Sequence, residues 1–529
     1  MRNLLLVSYH FPPHGGSGVQ RALKLAKYLP EHGWRAHVVC AAHRHYPVMD
    51  ATLNAEMGSR ASVYPTDGWD AGSLAARFGR RLGSVWHNRD ATDAWEDRLY
   101  WRLERWQSRL PLPEHELSWV PSAIMQAREV TRREAIEAVV TTSPPHASHY
   151  VGRHLKSRLG IPWIADLRDP IVDNFAGNPD AALEQRYRRS IERMIIHLAD
   201  RVIVTCPDLA DRLRHRYSSA SAAKFITIPN GFDASDADYA RPTAAREGVF
   251  TLTHVGAFYR QQTAGPMLEA MRRIRLRRPD AARQLRFRIV GTLSAPQRAL
   301  LHEEDTAFVE VVGYKSHVEA LAEMASADAL LLTTPANDGG RVCIPAKTFE
   351  YLAFGGHIIA FVHPGTAVES WLRRAGNCSL VGEPSVESWE KAIEGALERW
   401  LTRRPCDQRD AEFVASFRRD RQAGQYAQIV NACADGRPRL RLSHPSDAEE
   451  AAARRSPGPC RRCGGTCAGC LVVQSSSQNG SGGQGIRSIS TLTARRRMST
   501  AVRWETSRLP ASRSTRLGRS TGHSRPGRA

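Results

Sequence analysis

The opening residues, Met1 to Gly18, put a short all-apolar run directly before a turn rich in proline and glycine, and a helical pattern follows at once. Leu4 to Val7 is apolar without alternation, the pattern of a parallel strand covered on both faces. Pro12, Pro13, Gly15, Gly16 and Gly18 end it, and Gln20 to Leu29 resume with apolar residues at helical spacing. A strand, a glycine turn and a helix in that order commit the chain to an α/β arrangement. Glycines at such a turn let a ligand approach the backbone, and unpaired amides at a helix start attract an anion such as phosphate. Gly15 and Gly16 are therefore candidate residues for binding a nucleotide or a phosphosugar.

Dinucleotide cofactors use the same strand, turn and helix, but with a G-x-G-x-x-G fingerprint and an acid after the second strand. Counting from Gly16 and Gly18, the third glycine is replaced by Arg21, and the second apolar run, Ala36 to Cys40, ends in Ala41-Ala42-His43 without an acid. These residues argue against an oxidoreductase.

The rhythm continues along the chain. Ala138 to Thr142, Trp163 to Asp166 and Val202 to Thr205 are short apolar runs separated by helix-like segments such as Ala181 to Ala199. After Ile228-Pro229-Asn230-Gly231-Phe232-Asp233 a second series begins with Thr251 to Val255, Phe287 to Val290, Phe308 to Val312, Ala329 to Thr333 and His357 to Phe361. The expected fold class is α/β, with two Rossmann-like domains facing a cleft. Residues 1–230 would form the first domain, 231–433 the second, and 434–529 a low-complexity tail predicted to be disordered.

The net charge of +20 over 529 residues suggests an anionic partner, but it is unevenly placed. Residues 451–529 hold 15 Arg and one acid, Glu505, which leaves +6 for residues 1–450. The body is only mildly basic, so specific nucleic-acid binding is not expected. No apolar run reaches the roughly 18 residues of a membrane span, which predicts a cytoplasmic chain. Six cysteines are scattered through the body, as expected of reduced thiols. Cys460, Cys463, Cys467 and Cys470 have metal-ligand spacing, but their Arg, Ser, Gly and Pro flanks offer nothing apolar to hold a site together, so no metal is expected. Asp236-Ala237-Asp238 has the D-x-D form used by metal-dependent transferases, and its loop position reads instead as a solvated pair of acids.

One stretch breaks the rhythm. Residues 69–119 carry Trp69, Trp86, Trp95, Trp101, Trp106 and Trp119 interleaved with arginines. Such residues on helices either pack as a helical hairpin or lie on an anionic membrane surface, and Glu96 and Glu104 favour the hairpin.

Several segments resemble GT-B glycosyltransferases of family 4. They are Tyr9-His10-Phe11-Pro12-Pro13-His14-Gly15-Gly16 with Arg21 and Lys24, Thr142-Ser143-Pro144-Pro145-His146, Trp163 to Pro170, Ile228 to Asp233, and Ile344 to Gly356. Together they span about residues 1–433. The resemblance implies transfer of a sugar from a nucleotide-sugar donor to a carbohydrate or lipid-linked acceptor. Retention of configuration and no metal or other cofactor are implied as well, with a place in cell-surface polysaccharide assembly at the inner membrane face. It makes Glu350 the ligand of the nucleotide ribose. The family's preceding glutamate falls at Val342, and its Arg and Lys pair for the diphosphate is absent from Gly256 to Gln262, where Arg260, together with Lys347, would supply the charge. His146 is expected at the cleft, as a sugar or acceptor contact or as a turn histidine. Arg168 and Asp169 follow a strand end, the crevice position of open α/β sheets, where an internal ion pair is the competing explanation. An epimerase of the same plan, or a scaffold protein with a degenerate donor site, is the alternative to a transferase.

Overall fold

The structure is a computed structural model. It describes residues 1–42, 49–50, 52–68, 113–174, 182–242, 248–258, 262, 264–279, 283–404 and 408–436. Arg260, residues 69–112 of the Trp- and Arg-rich stretch, the four-cysteine cluster and the tail beyond residue 436 lie outside the described residues.

Two parallel sheets organise the chain. The first contains β1 (Arg2–Ser8), β2 (Trp34–Ala41), β3 (Ala61–Thr66), β4 (Ile136–Ser143), β5 (Trp163–Leu167), β6 (Arg201–Val204) and β7 (Phe225–Thr227), in the order β3-β2-β1-β4-β5-β6-β7. The second contains β8 (Phe250–Val255), β9 (Leu285–Val290), β10 (Val309–Gly313), β11 (Ala329–Thr333), β12 (His357–Phe361) and β13 (Cys378–Val381), in the order β10-β9-β8-β11-β12-β13. Strand order reverses between β1 and β4 and again between β8 and β11. Crevices at the carboxyl ends of such reversals are where open α/β sheets take ligands.

Among the described residues, the helices of eight residues or more are α1 (Ser17–Tyr28), α2 (Val120–Arg133), α3 (Ser148–Leu159), α4 (Ala182–Leu198), α5 (Pro207–Arg216), α6 (Gly265–Arg277), α7 (His317–Ser326), α8 (Lys347–Phe354), α9 (Ala367–Ala375), α10 (Val386–Leu401) and α11 (Arg419–Asp435). The unbroken apolar run of β1 is explained by burial on both sides. Leu4 and Leu6 pack with α1 and α11, whereas Leu5 and Val7 face the core under α2 to α5, and all four are fully buried. Although it lies at the far end of the segment expected to form the second domain, α11 thus packs on the first sheet, through Ala423, Tyr426, Ala427 and Val430. None of the described helices is long and apolar enough to cross a membrane. Trp119, the last tryptophan of the unusual stretch, is a core residue whose Nε1 donates to Thr66 Oγ1 at 2.6 Å.

The sheets are joined where the chain crosses from β7 to β8 and returns to α11. The two crossings bond to each other: Phe232 N donates to Phe417 O at 3.3 Å and Arg419 N to Phe232 O at 2.9 Å. Gln422 Nε2 donates to Asn230 O at 3.1 Å. Gly231 is needed for this closeness, because a Cβ there would lie 2.0 Å from Phe417 O. Gly231→Ala must push the crossings apart and should cost about 1 to 3 kcal/mol, read as a lowered melting temperature. An unchanged melting temperature would show that the crossings are free to separate.

Candidate functional site

The residues that fix the crossing are cations on one face of α1. Arg21 makes a two-pronged ion pair with Asp166 at the end of β5, and its other donors reach Ile228 O at 2.9 Å and Pro229 O at 2.7 Å. Arg21 therefore stands where a dinucleotide fold has its glycine because it anchors the crossing. One turn on, Lys24 contacts Glu56, Asp233 at 2.9 Å and Asp236 at 3.6 Å, while Lys27 bonds Glu56 and Asp233 at 2.8 Å. Tyr28 adds a hydroxyl to Asp233 at 2.6 Å. Burial alone would raise the Asp233 pKa, but these partners hold it far below the usual carboxylate range. The solvated pair of acids expected at 236 and 238 is corrected here: Asp236 is buried, paired to Lys24 and to His317 Nε2 at 3.0 Å. These two bases, on neighbouring elements, draw it inward.

The loops at the carboxyl edges of the two sheets touch directly. Cys343 Sγ donates to Asp169 Oδ1 at 3.8 Å, Cys206 Sγ to Val342 O at 3.5 Å, and Ala367 N to Asp208 Oδ2 at 2.9 Å. Asp169 thus reaches the second sheet, and burial raises its pKa against the opposing pull of Arg168. Val342, at the position of the missing glutamate, is buried in the core that continues across this junction.

On the second sheet, α8 begins at the carboxyl edge. Its N-cap, Ala346, offers no side chain to the helix start, where Thr348 N and Phe349 N donate instead to the carbonyls of Pro345 and Ala346 at 3.0 and 3.3 Å. Lys347 Nζ lies 2.9 Å from Nε2 of the fully buried His254 at the end of β8. His254 Nδ1 is 3.2 Å from Leu331 O, which fixes the Nδ1–H tautomer and turns Nε2 toward Lys347 as an acceptor. Burial, then the Lys347 charge, keeps His254 neutral. Burial pushes Lys347 down to about 7, with Glu350 pulling the other way. Gly256, with φ of 107°, passes beneath: a Cβ there would sit 3.5 Å from Lys347 Nζ. One turn along α8, the Glu350 carboxylate has no hydrogen-bond partner among the described residues. Burial and Asp236 raise its pKa, while His317, Arg419 and Lys24 oppose them. His317 is set at the first position of α7 by a capping box, in which Ser316 Oγ accepts from Glu319 N at 3.4 Å and Glu319 Oε2 accepts from Ser316 N at 3.0 Å.

On the first sheet, Gly16 is the N-cap of α1 with φ of 85°, and no side chain caps this helix either. Nothing lies within 4 Å of a Cβ built on Gly16, so its requirement is the backbone angle and the space beside it is open. Gly15 next to it is buried. His146 is buried as well. Burial, then His149, Arg188 and Arg168, hold it down to about 3, so it stays neutral. Its backbone N and that of Ala147 donate to Glu114 at 2.6 and 2.7 Å, so the start of α3 is filled by a protein carboxylate. Arg168 donates to Ser143 O at 2.9 Å and to the carbonyls of Gly18 and Pro144. It ties three loops of the first sheet together and is a positioning residue.

The structure thus brings Lys347 and Glu350 onto one helix start and places Asp169 where the two sheets touch, whereas His146 and Arg168 serve the first sheet's own loops. His254 and His317 were not legible as site residues. Their only signals were a polar residue inside an apolar run and an S-x-x-E cap.

The description "glycosyl transferase 4-like domain" matches residues 15–231. Sucrose-phosphate synthase from Thermosynechococcus elongatus is similar in structure, at 15% identity, with 82% of this chain and 97% of that chain covered and a TM-score of 0.52. An α,α-trehalose-phosphate synthase from Burkholderia xenovorans has 11% identity, 82% and 100% coverage and a TM-score of 0.52. The N-terminal domain of trehalose-6-phosphate phosphatase from Candida albicans has 12% identity, 82% and 96% coverage and a TM-score of 0.53. These three share the fold. No curated protein matches the sequence. Residues 15–231 are a glycosyl transferase 4-like domain, and with its second parallel sheet the chain has the two-sheet α/β fold of these glycosyltransferase structures.

Proposed function

We propose that the enzyme takes its sugar from a nucleoside diphosphate donor held on α8, with Lys347 at the diphosphate and Glu350 at the ribose hydroxyls. The observation that carries this reading is Lys347 and, one turn on, the Glu350 carboxylate, which has no hydrogen-bond partner among the described residues, together at the start of α8. As the glycosyl bond breaks, negative charge grows on the departing diphosphate, and Lys347 with the positive end of α8 stabilises it. Arg260 is the second cation of this proposal. The turn at Gly15 and Gly16, at the start of α1, adds backbone amides for the same departing diphosphate, and Asp169 stands where the two sheets touch. The acceptor is a carbohydrate or a lipid-linked sugar, transfer proceeds with retention and without metal or other cofactor, and the product belongs to cell-surface polysaccharide. The trehalose-phosphate synthase described as UDP-forming, in complex with glucose-6-phosphate, makes UDP-sugars the first donors to try.

The test is turnover of a panel of nucleotide sugars with and without acceptor glycans, in chelator, reading the anomer of the product by NMR. Product that needs no acceptor would mark an epimerase and overturn the reading. The Lys347 site adds a pH signature. The free lysine, held down to about 7, is largely neutral at pH 8, and a bound diphosphate must raise its pKa again. Nucleoside diphosphate binding at pH 8 should therefore take up protons, and affinity should fall by up to about tenfold per pH unit above 7. Calorimetry in buffers of different ionisation enthalpy measures this uptake. Lys347→Met should abolish it, and equal uptake in that variant would place the proton elsewhere.

A further inference from the structure

The net charge of the body is concentrated on one face of the first sheet's helices. Together α2, α3 and α4 carry ten basic residues against three acids, an excess of seven, whereas residues 1–450 as a whole have an excess of only six. The rest of the body is balanced. The three acids are spent inside the protein: Glu129 on Arg132 and Arg133, Glu184 on Arg188, and the buried Glu192 on Arg216. Arg128, Arg153, Arg158, Arg186, Arg189 and Arg193 are exposed and have no carboxylate partner among the described residues.

These guanidiniums form one surface. Helix α3 packs against both α2 and α4, and burial, then the charges of Arg128 on α2 and Arg158 on α3, hold His154 between them below its usual value. Arg153 on α3 reaches Met194 Sδ on α4 at 3.8 Å, next to Arg193. Along α4, Leu183, Arg186, Ser190, Arg193 and His197 recur at helical spacing, as do Met125, Arg128 and Arg132 on α2. The face also holds Met125, Leu159, Leu183 and Leu198, four of the ten large hydrophobic side chains exposed among the described residues. Exposed apolar side chains set among arginines on adjacent helices match a lipid surface, where headgroup phosphates meet the guanidiniums and acyl chains take the apolar groups. A nucleic-acid surface would call for aromatic stacking residues, and the exposed aromatics Tyr239 and Tyr314 lie outside these helices.

We propose that the outer face of α2, α3 and α4 docks on an anionic lipid bilayer. Because α3 starts at the crevice, at His146 and Ala147, docking brings the bilayer to the edge of that crevice. This surface stands independently of the donor-site reading, and only the delivery of a lipid-linked acceptor rests on it.

The full chain is mixed with vesicles of phosphatidylcholine alone or with phosphatidylglycerol, and binding is followed by sedimentation across a salt series. Binding should require the anionic lipid and weaken with salt. Replacing Arg153, Arg186, Arg189 and Arg193 together by Ser should lower partitioning by about 100-fold or more, since each arginine near such a surface contributes on the order of fivefold. The Arg-rich tail can bind vesicles as well, so a second readout locates the contact. Benzoylphenylalanine placed at Met125 should photo-crosslink to phospholipid, and the same group at Leu276, exposed on the second sheet's α6, should not. Equal capture at both positions, or capture at Met125 that the four substitutions leave unchanged, would overturn the proposal. So would binding of RNA that those substitutions abolish while vesicles do not bind. A wild-type melting temperature in the four-site variant separates a lost surface from a lost fold.

Discussion

Asp166→Ala should destabilise the enzyme by about 3 to 5 kcal/mol, the cost of leaving a buried charge without its partner. Arg21 and Asp166 have side chains only 3% and 2% exposed, and the guanidinium that remained would have two main-chain carbonyls but no counter-charge. Burial alone would lower the Arg21 pKa, and Asp166 more than reverses this, so the pair is ionised as a unit. Thr142 Oγ1, which donates to the same carboxylate at 2.9 Å, would lose its acceptor too. The damage extends beyond the first sheet because Arg21 also fixes the crossing at Ile228 and Pro229. Thermal melting measures the loss. Replacing both partners by apolar residues of similar volume, Arg21→Met with Asp166→Leu, should recover much of it. A single-variant loss below about 1 kcal/mol would mean that the pair is solvated and the crossing is held elsewhere.

The second large effect is on ligand binding. Glu350→Ala should weaken the donor by about 1.5 to 3 kcal/mol, the range of a hydrogen bond to a charged group, which is roughly 10- to 150-fold. Stability should move the other way. A carboxyl whose pKa burial raises in the folded state favours folding in its protonated form, and that contribution is lost as pH rises from the unfolded value of 4.5 through the folded one. At neutral pH the ionised group is a burden, so Glu350→Gln should melt no lower than the wild type. Were Glu350 only a favourable charge in the first turn of α8, its removal would instead cost about 0.3 to 1 kcal/mol of stability and leave binding intact.

The architecture was legible because central parallel strands have little freedom. Buried on both faces, the central strands β1, β4, β11 and β12 carry short apolar runs, Leu4 to Val7, Ala138 to Val140, Ala329 to Leu332 and Ile358 to Phe361, and such runs stand out. The strands with no visible signal, β3, β7 and β13, are all sheet edges. With neighbours on one side only, they tolerate Pro65 in β3, three residues in β7 and a half-buried Cys-Ser-Leu in β13. The return of α11 to the first sheet was hidden for a different reason: helical spacing shows which face is apolar but not which sheet it covers.

The site was legible in part. Lys347 and Glu350 share one helix, so their spacing shows that they lie on one face. Arg168 follows a strand end just as a ligand-binding residue would, and only the positions of Ser143, Pro144 and Gly18 reveal that its donors meet main-chain carbonyls. His254 and His317 reach the site from other elements, so no pattern local to either could reveal them.

The central claim is that α8 binds the donor through two separable contacts. Titrating nucleoside, nucleoside diphosphate and nucleotide sugar into the wild type, Glu350→Gln and Lys347→Ala by calorimetry tests it directly. Glu350→Gln should weaken all three ligands, because each carries the ribose. Lys347→Ala should weaken only the two that carry the diphosphate, and the nucleoside should bind as it does to the wild type. Wild-type affinity for all three ligands in Glu350→Gln would contradict the assignment of α8 as the donor helix.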